Sequence, residues 1–197
     1  RADVFRKVLQ AEGIQILGEQ TFAKGDRDFS PQLTQIKSQN PDAIVCSALV
    51  EEASGIVSQA RQLGIPKTVR IIGGNGFNSP ALIKNAGEAS EGVIVGAAWN
   101  ISSTNPLNLK FVEDYTKKYN RPPDQFAAQA FAGVQIAYHA AKNAGTADNR
   151  KGIRDGLVKI KGMDTLLGKF SFTEGRDADH TPVVQEVQNG KFVVFGN

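Results

Sequence analysis

A chain of 197 residues with 41% hydrophobic and 22% charged side chains has enough apolar material for a packed core. Its formal net charge of +3 is spread along the sequence and is not gathered into basic runs interleaved with aromatics, which argues against a nucleic-acid surface. The longest apolar runs, such as Gly92 to Trp99, fall far short of the roughly 20 residues a membrane-crossing helix needs, and the single cysteine, Cys46, allows no disulfide within the chain.

Apolar residues at helical spacing begin at once: Ala2, Val4, Phe5, Val8 and Leu9 predict a helix over 2–12, ended by Gly13 in a left-handed cap. No initiator methionine, signal peptide or capping residue precedes it, so Arg1 is expected to lie inside a helix of a longer protein. Ile14 to Phe22 reads as a strand. Phe29, Leu33 and Ile36 share a face of a helix over 29–38, which Asn40-Pro41 closes before a strand over 43–49 that should bury Cys46. A helix over 52–63, the turn Gly64-Ile65-Pro66, a strand over 69–72, a short helix over 80–86 and a strand over 92–98 continue the pattern. Nearly continuous apolar strands alternating with helices indicate a doubly wound α/β domain, its parallel sheet covered on both faces.

Beyond Trp99 the alternation stops, and the polar stretch 100–108 reads as a crossing between domains. Helices over 109–119 and 125–144 follow, the second with Phe126, Ala130, Val134, Ala137 and Ala141 near one face that should pack closely. A third helix over 150–160 precedes a strand over 168–172. Two further strands, 183–188 and 191–195, are joined by Asn189-Gly190, a strong hairpin signal. The segment 103–172 thus holds helices and almost no strand of its own, so it should complete a sheet supplied by other residues and otherwise expose apolar surface.

Few residues carry chemistry. The loop Gly73-Gly74-Asn75-Gly76-Phe77-Asn78 lies between a strand and a helix, where it is either a turn that needs positive φ or a loop that contacts a ligand. It lacks the third glycine of a dinucleotide fingerprint, where Ser79 stands, and the Lys-Ser/Thr of a phosphate loop. The loop Ser47 to Glu51 reaches the same edge of the sheet, and ligands of open parallel sheets bind beyond the carboxyl ends of the strands. Glu51-Glu52 opens a helix, where carboxylates favour the macrodipole. His139 and His180 have no partner at metal-ligating spacing, no Gly-x-Ser-x-Gly elbow is present, and no cofactor is implied.

Several stretches in order resemble the periplasmic leucine/isoleucine/valine-binding family: Asp28 to Leu33 through Ile36-Lys37, Asn40 to Val45, Gln59 to Ile65, Gly87 to Val93, Phe111 to Tyr119 through Pro123 to Ala128-Gln129-Ala130-Phe131, and Gly168 to Phe172 with Gly175 and Asp177. The resemblance implies the type I periplasmic-binding fold, in which two α/β lobes close on a solute by a hinge motion that a transporter senses. Residues 1–100 and 180–197 would form the second lobe, and 103–172 part of a first lobe whose N-terminal sheet is missing from this chain.

The implied function is that of a non-enzymatic, extracytoplasmic solute-binding receptor, periplasmic or anchored as a lipoprotein. It would be a monomer when full length and would deliver an amino acid or similar small carboxylate or amide to an ABC permease in the inner membrane. The alternative is a ligand-sensing domain of a regulator or receptor on the same scaffold.

The family's aromatic residue after the second strand corresponds to Leu49 or Val50, and its amine-binding glutamate to Asn75; both depart from the pattern. Losing that carboxylate would remove a charge-assisted hydrogen bond worth about 1.5 to 3 kcal/mol from an α-ammonium group unless Glu51 substitutes. The resemblance therefore points to Leu49, Val50, Glu51, Asn75 and Gly76, with Phe126 and Gln129 at the start of the Ala-rich helix, as the residues that meet the solute.

Overall fold

The computed structural model describes residues 2–196. The chain divides into two compact units, the first running to Ala97 and resuming at Val184, the second spanning Ala98–Val183.

The first unit begins with α1 (Ala2–Ala11), and the expectation that Arg1 continues this helix lies outside the described residues. Gly13 takes φ +70°, as a left-handed cap requires, while the Ile14 amide donates to the Leu9 carbonyl at 2.9 Å. The chain then alternates α2 (Ser30–Ser38), β1 (Ala43–Cys46), α3 (Val50–Gln62), β2 (Arg70–Gly73), α4 (Pro80–Ala86) and β3 (Ile94–Ala97). Strands β1, β2 and β3 are parallel neighbours, with Cys46 opposite Gly73 and Gly73 opposite Val95. The hairpin of β7 (Val183–Gln188) and β8 (Lys191–Val194) completes the order β1-β2-β3-β7-β8. Asn189 and Gly190 both hold positive φ, +52° and +69°, as the tight hairpin turn demands.

Two expectations are corrected here. Ile14 to Phe22 forms no strand: Ile14, Ile16 and Leu17 are 39–52% exposed, and the Thr21 carbonyl accepts from the Gln32 side chain instead of a neighbouring backbone. An alternating pattern sets side-chain direction, but a strand also needs a ladder partner, and this segment has none among the described residues. The sheet is also not buried evenly on both faces. Ile44, Cys46, Ile71, Val93, Val95 and Val187 pack with Phe29, Leu33, Ala53, Val57, Ala60 and Leu82 of the helical layer, while the alternate residues Val45, Ile72 and Ile94 stay half-buried.

The stretch that resembled the family at Gln59 to Ile65 works as a clasp. Gln59 accepts from the Phe29 amide and donates to the Arg27 carbonyl, both at 2.7 Å, and Ala60 is fully buried. Arg61 donates to the carbonyls of Ile65 and Pro66 just beyond α3, where a cation meets the negative end of the helix. On the far side, the Glu91 carboxylate accepts from the amides of Asn189 and Gly190 at 2.9 and 2.7 Å, tying the last hairpin to the sheet.

The second unit holds α5 (Pro106–Tyr119), α6 (Gln125–Ala144) and α7 (Arg150–Val158), with an antiparallel sheet of β4 (Met163–Thr165), β5 (Gly168–Phe172) and β6 (Ala178–Asp179). The sequence reading anticipated only β5 of these three strands, because β4 and β6 are too short to show a period of two. Asn105, Asp124 and Asn149 cap the three helices by accepting from backbone amides.

The packed face of α6 also departs from expectation. Gln125, Ala128, Ala132, Ile136 and Ala140 are buried, whereas Phe126 and Val134 are 49% and 71% exposed. Both stripes are apolar, and the alanine stripe wins because it lets α7 come close: a Cβ on Gly156 would lie 2.1 Å from the Ala140 carbonyl oxygen. The opposite stripe remains an exposed apolar surface, as anticipated for this segment.

Candidate functional site

The carboxyl ends of β1 and β2 lie side by side, so the loops that follow them meet at one edge of the first unit. Their contact is made by backbone. A Cβ on Gly76 would stand 2.1 Å from the Ala48 carbonyl oxygen and 3.2 Å from the Leu49 Cα, so only glycine lets the two loops touch. Gly73 makes room of another kind, because the Phe77 ring fills the place where its Cβ would be, and Phe77 is fully buried as the plug beneath the loop. Neither Gly73, Gly74 nor Gly76 takes positive φ. Of the two readings left open for this loop, the turn that needs positive φ is therefore excluded: at Gly73 and Gly76 glycine serves close approach.

Around this weld the singled-out residues of the first unit assemble. Leu49 is the N-cap of α3 and 49% exposed, with an extended backbone and no side chain able to cap the helix. Val50 opens the helix half-buried, its side chain packed against the core. Glu51 is exposed in the first turn, and Asn75 is exposed at the start of a short 3-10 turn over Asn75–Phe77.

Glu52 has a different part. It is 6% exposed, and its Oε1 accepts from the Gly25 amide at 2.9 Å, which pins the loop between Ala23 and Asp28 to α3. That bond, then one from its own amide, and the nearby Lys24 ammonium hold its carboxyl below the usual carboxylate range. Cys46, beneath the edge, is buried, and burial pushes its thiol up to about 12.

Two hollows open on this unit. The larger, 560 Å³, follows the flank of α3 past Glu51, Ser54, Gly55 and Ser58, between the loop 24–27 and Asn85 of α4. The smaller, 250 Å³, sits at the strand ends and is lined by Phe22, Lys24, Ser47, Ala48, Leu49 and Glu52. Lys24 and Phe22 did not stand out in the sequence, since a lysine in a polar loop carries no signal until the loop is folded onto the edge. Pinning by Glu52 is what places it there.

In the second unit, Phe126 and Gln129 lie in the first turns of α6, Phe126 half exposed and Gln129 partly buried. Between them in the sequence, Ala127 donates to the capping Asp124 and Ala128 is fully buried. Gln125 accepts from the Ala98 amide at 2.7 Å. Among the described residues no three His, Cys, Asp or Glu side chains are grouped to hold a metal ion, and no helix is long and apolar enough to cross a membrane.

A profile of the periplasmic binding protein family matches residues 2–191. The Leu/Ile/Val-binding protein BraC3 of Rhizobium johnstonii is 28% identical over 176 residues, which cover 89% of this chain and 47% of that protein. The crystal structure of a leucine-binding protein, LivK of Thermotoga maritima, superposes with a TM-score of 0.89 at 32% identity, covering 98% of this chain and 54% of the other. The substrate-binding protein LivJ of Streptococcus pneumoniae, solved in complex with isoleucine, gives a TM-score of 0.83 at 32% identity over 97% of this chain and 53% of its own. The chain spans about half the length of the relatives it matches.

Proposed function

This chain belongs to the periplasmic binding protein family, with the type I fold, and from that premise we propose that it is the solute-contacting second half of an extracytoplasmic receptor serving an ABC importer. On this reading residues 1–100 and 180–197 are the second lobe and 103–172 belong to the first. The protein performs no chemistry: it binds a small molecule, closes on it, and presents it to a permease in the inner membrane. The solute is an amino acid or a similar small carboxylate or amide. Leu49, Val50, Glu51, Asn75 and Gly76 form one wall of its site, and Phe126 and Gln129 contribute from α6.

One observation carries the proposal: the weld of two strand-end loops at Gly76 and Ala48, which presents Leu49, Glu51 and Asn75 together at the carboxyl edge of a parallel sheet. That edge is where open α/β sheets take their ligands. The close backbone contact sets the two loops side by side, so the main chain of this wall needs no rearrangement to present them to a solute.

The test is a thermal-shift panel on full-length protein carrying this sequence, with branched and polar amino acids, amides, and aliphatic and aromatic carboxylates. A true solute at about 100 times its dissociation constant adds roughly 2.7 kcal/mol, enough to raise the midpoint by several degrees. A flat response to every member of the panel would reject a receptor for this class of solute.

A further inference from the structure

Resting on that reading, we propose that the solute is a carboxylate with an apolar body and no α-ammonium group, and that Lys24 is the residue that selects it. The argument begins with the 250 Å³ hollow at the end of β1. Phe22, Ala48 and Leu49 give it an apolar lining, Ser47 a hydroxyl, and Lys24 its one cation. An ammonium group needs a carboxylate to receive it, and the one acid that lines this hollow is Glu52. That acid is nearly buried and its Oε1 takes the Gly25 amide, so little of its carboxylate is left to receive an ammonium group in the hollow. Glu51 lines the larger cleft along α3 and not this hollow.

Lys24 is exposed and makes no close ion pair among the described residues; its charge is felt by the nearby Glu52 carboxyl, and its ammonium stays accessible to solvent or to a solute. Its position is fixed by its neighbour, since the Glu52 carboxylate anchors Gly25, the next residue in the chain. On the adjoining loop, Asn75 carries no charge, so it gives an ammonium no ionic compensation. The selection therefore has two parts: a cation that attracts the carboxylate, and an edge whose buried acid cannot serve an amine.

Matched probes separate the parts. Leucine, 4-methylpentanoate and 4-methylpentanamide share one branched body and differ only in their charged groups. Titration calorimetry on full-length protein should show 4-methylpentanoate binding at least about tenfold tighter than leucine, and tighter than the amide. Lys24→Met should weaken the acid by about tenfold or more while Lys24→Arg restores most of it, with the unliganded variants still unfolding in one cooperative transition. Tighter binding of leucine than of the acid would overturn this inference and leave the receptor reading standing. Binding of the acid that is indifferent to Lys24→Met would also overturn it. If none of the three binds, and the wider panel is equally silent, the receptor reading fails and takes the inference with it.

Discussion

Gly76 is the residue on which the candidate site turns. Its backbone φ is ordinary, so a substitution meets no left-handed strain and acts only through space: the added methyl of Gly76→Ala collides with the Ala48 carbonyl. The expected loss is about 1–3 kcal/mol in urea unfolding, with weakened solute binding, whereas Gly74→Ala, which meets no atom within 4 Å, should be close to neutral. Two ionisable residues nearby give signed pH effects. Burial raises the Cys46 thiol from its ordinary 9.0 to about 12, so the fold favours the neutral form. Its contribution is complete below pH 9 and is lost as pH rises toward 12; below that range Cys46 should resist alkylation until the protein unfolds, as mass spectrometry after iodoacetamide would record. Glu52 acts in the opposite sense. Its depressed carboxyl contributes stability above the usual carboxylate range and loses it as pH falls through the folded value, so Glu52→Gln should flatten the acid limb of the stability profile. These residues also show how unevenly the site was legible. The loops that hold Leu49, Asn75 and Gly76 could be placed at one edge because they follow strands, and the resemblance pointed to these positions within them; that Glu52 holds Gly25, and that Gly76 is a space and not a turn, depends on neighbours distant in the sequence.

Elements are joined in this chain by a few specific contacts that can be cut singly. The Glu91 carboxylate accepts two backbone amides of the β7–β8 turn, and Arg70 of β2 pairs with Glu186 of β7 at 2.8 Å over Gly92. Glu91→Ala should cost about 1–3 kcal/mol and raise hydrogen exchange at Asn189 and Gly190 before that of β1 or β2. The α6–α7 pair depends on Gly156 lying against Ala140, so Gly156→Ala must push the helices apart despite the better helix propensity of alanine. The two opposed effects differ in size: about 1 kcal/mol gained in propensity against a clash with backbone, so the net change is destabilising.

The molecule as a whole carries the composition of a packed protein, yet its second unit keeps Leu109, Phe126, Phe131, Val134 and Tyr138 at 44–71% exposure. Side chains of this size rarely gather on a monomer's surface without a partner. A polypeptide of these 197 residues alone should therefore enhance the fluorescence of anilinonaphthalene sulfonate, and Val134→Lys should reduce that signal without lowering the melting temperature. An unchanged signal would place the dye elsewhere.

What the sequence determined by itself is local. Pro80 at a helix start, Asn189-Gly190 between two strands and Gly13 after an amphipathic run act through atoms a few residues apart, and the start of α4, the β7–β8 hairpin and the end of the first helix follow from them. The order of family-like stretches likewise survives in one dimension, which is why the fold class was legible. Tertiary structure alone decided which apolar stripe of α6 is buried, whether Ile14 to Phe22 finds a ladder partner, and how the loops after β1 and β2 meet. Each of those outcomes is a choice between surfaces of similar hydrophobicity or between backbone partners far apart in the chain. It is settled by close packing and hydrogen-bond satisfaction across that distance, which no pattern of neighbouring residues encodes.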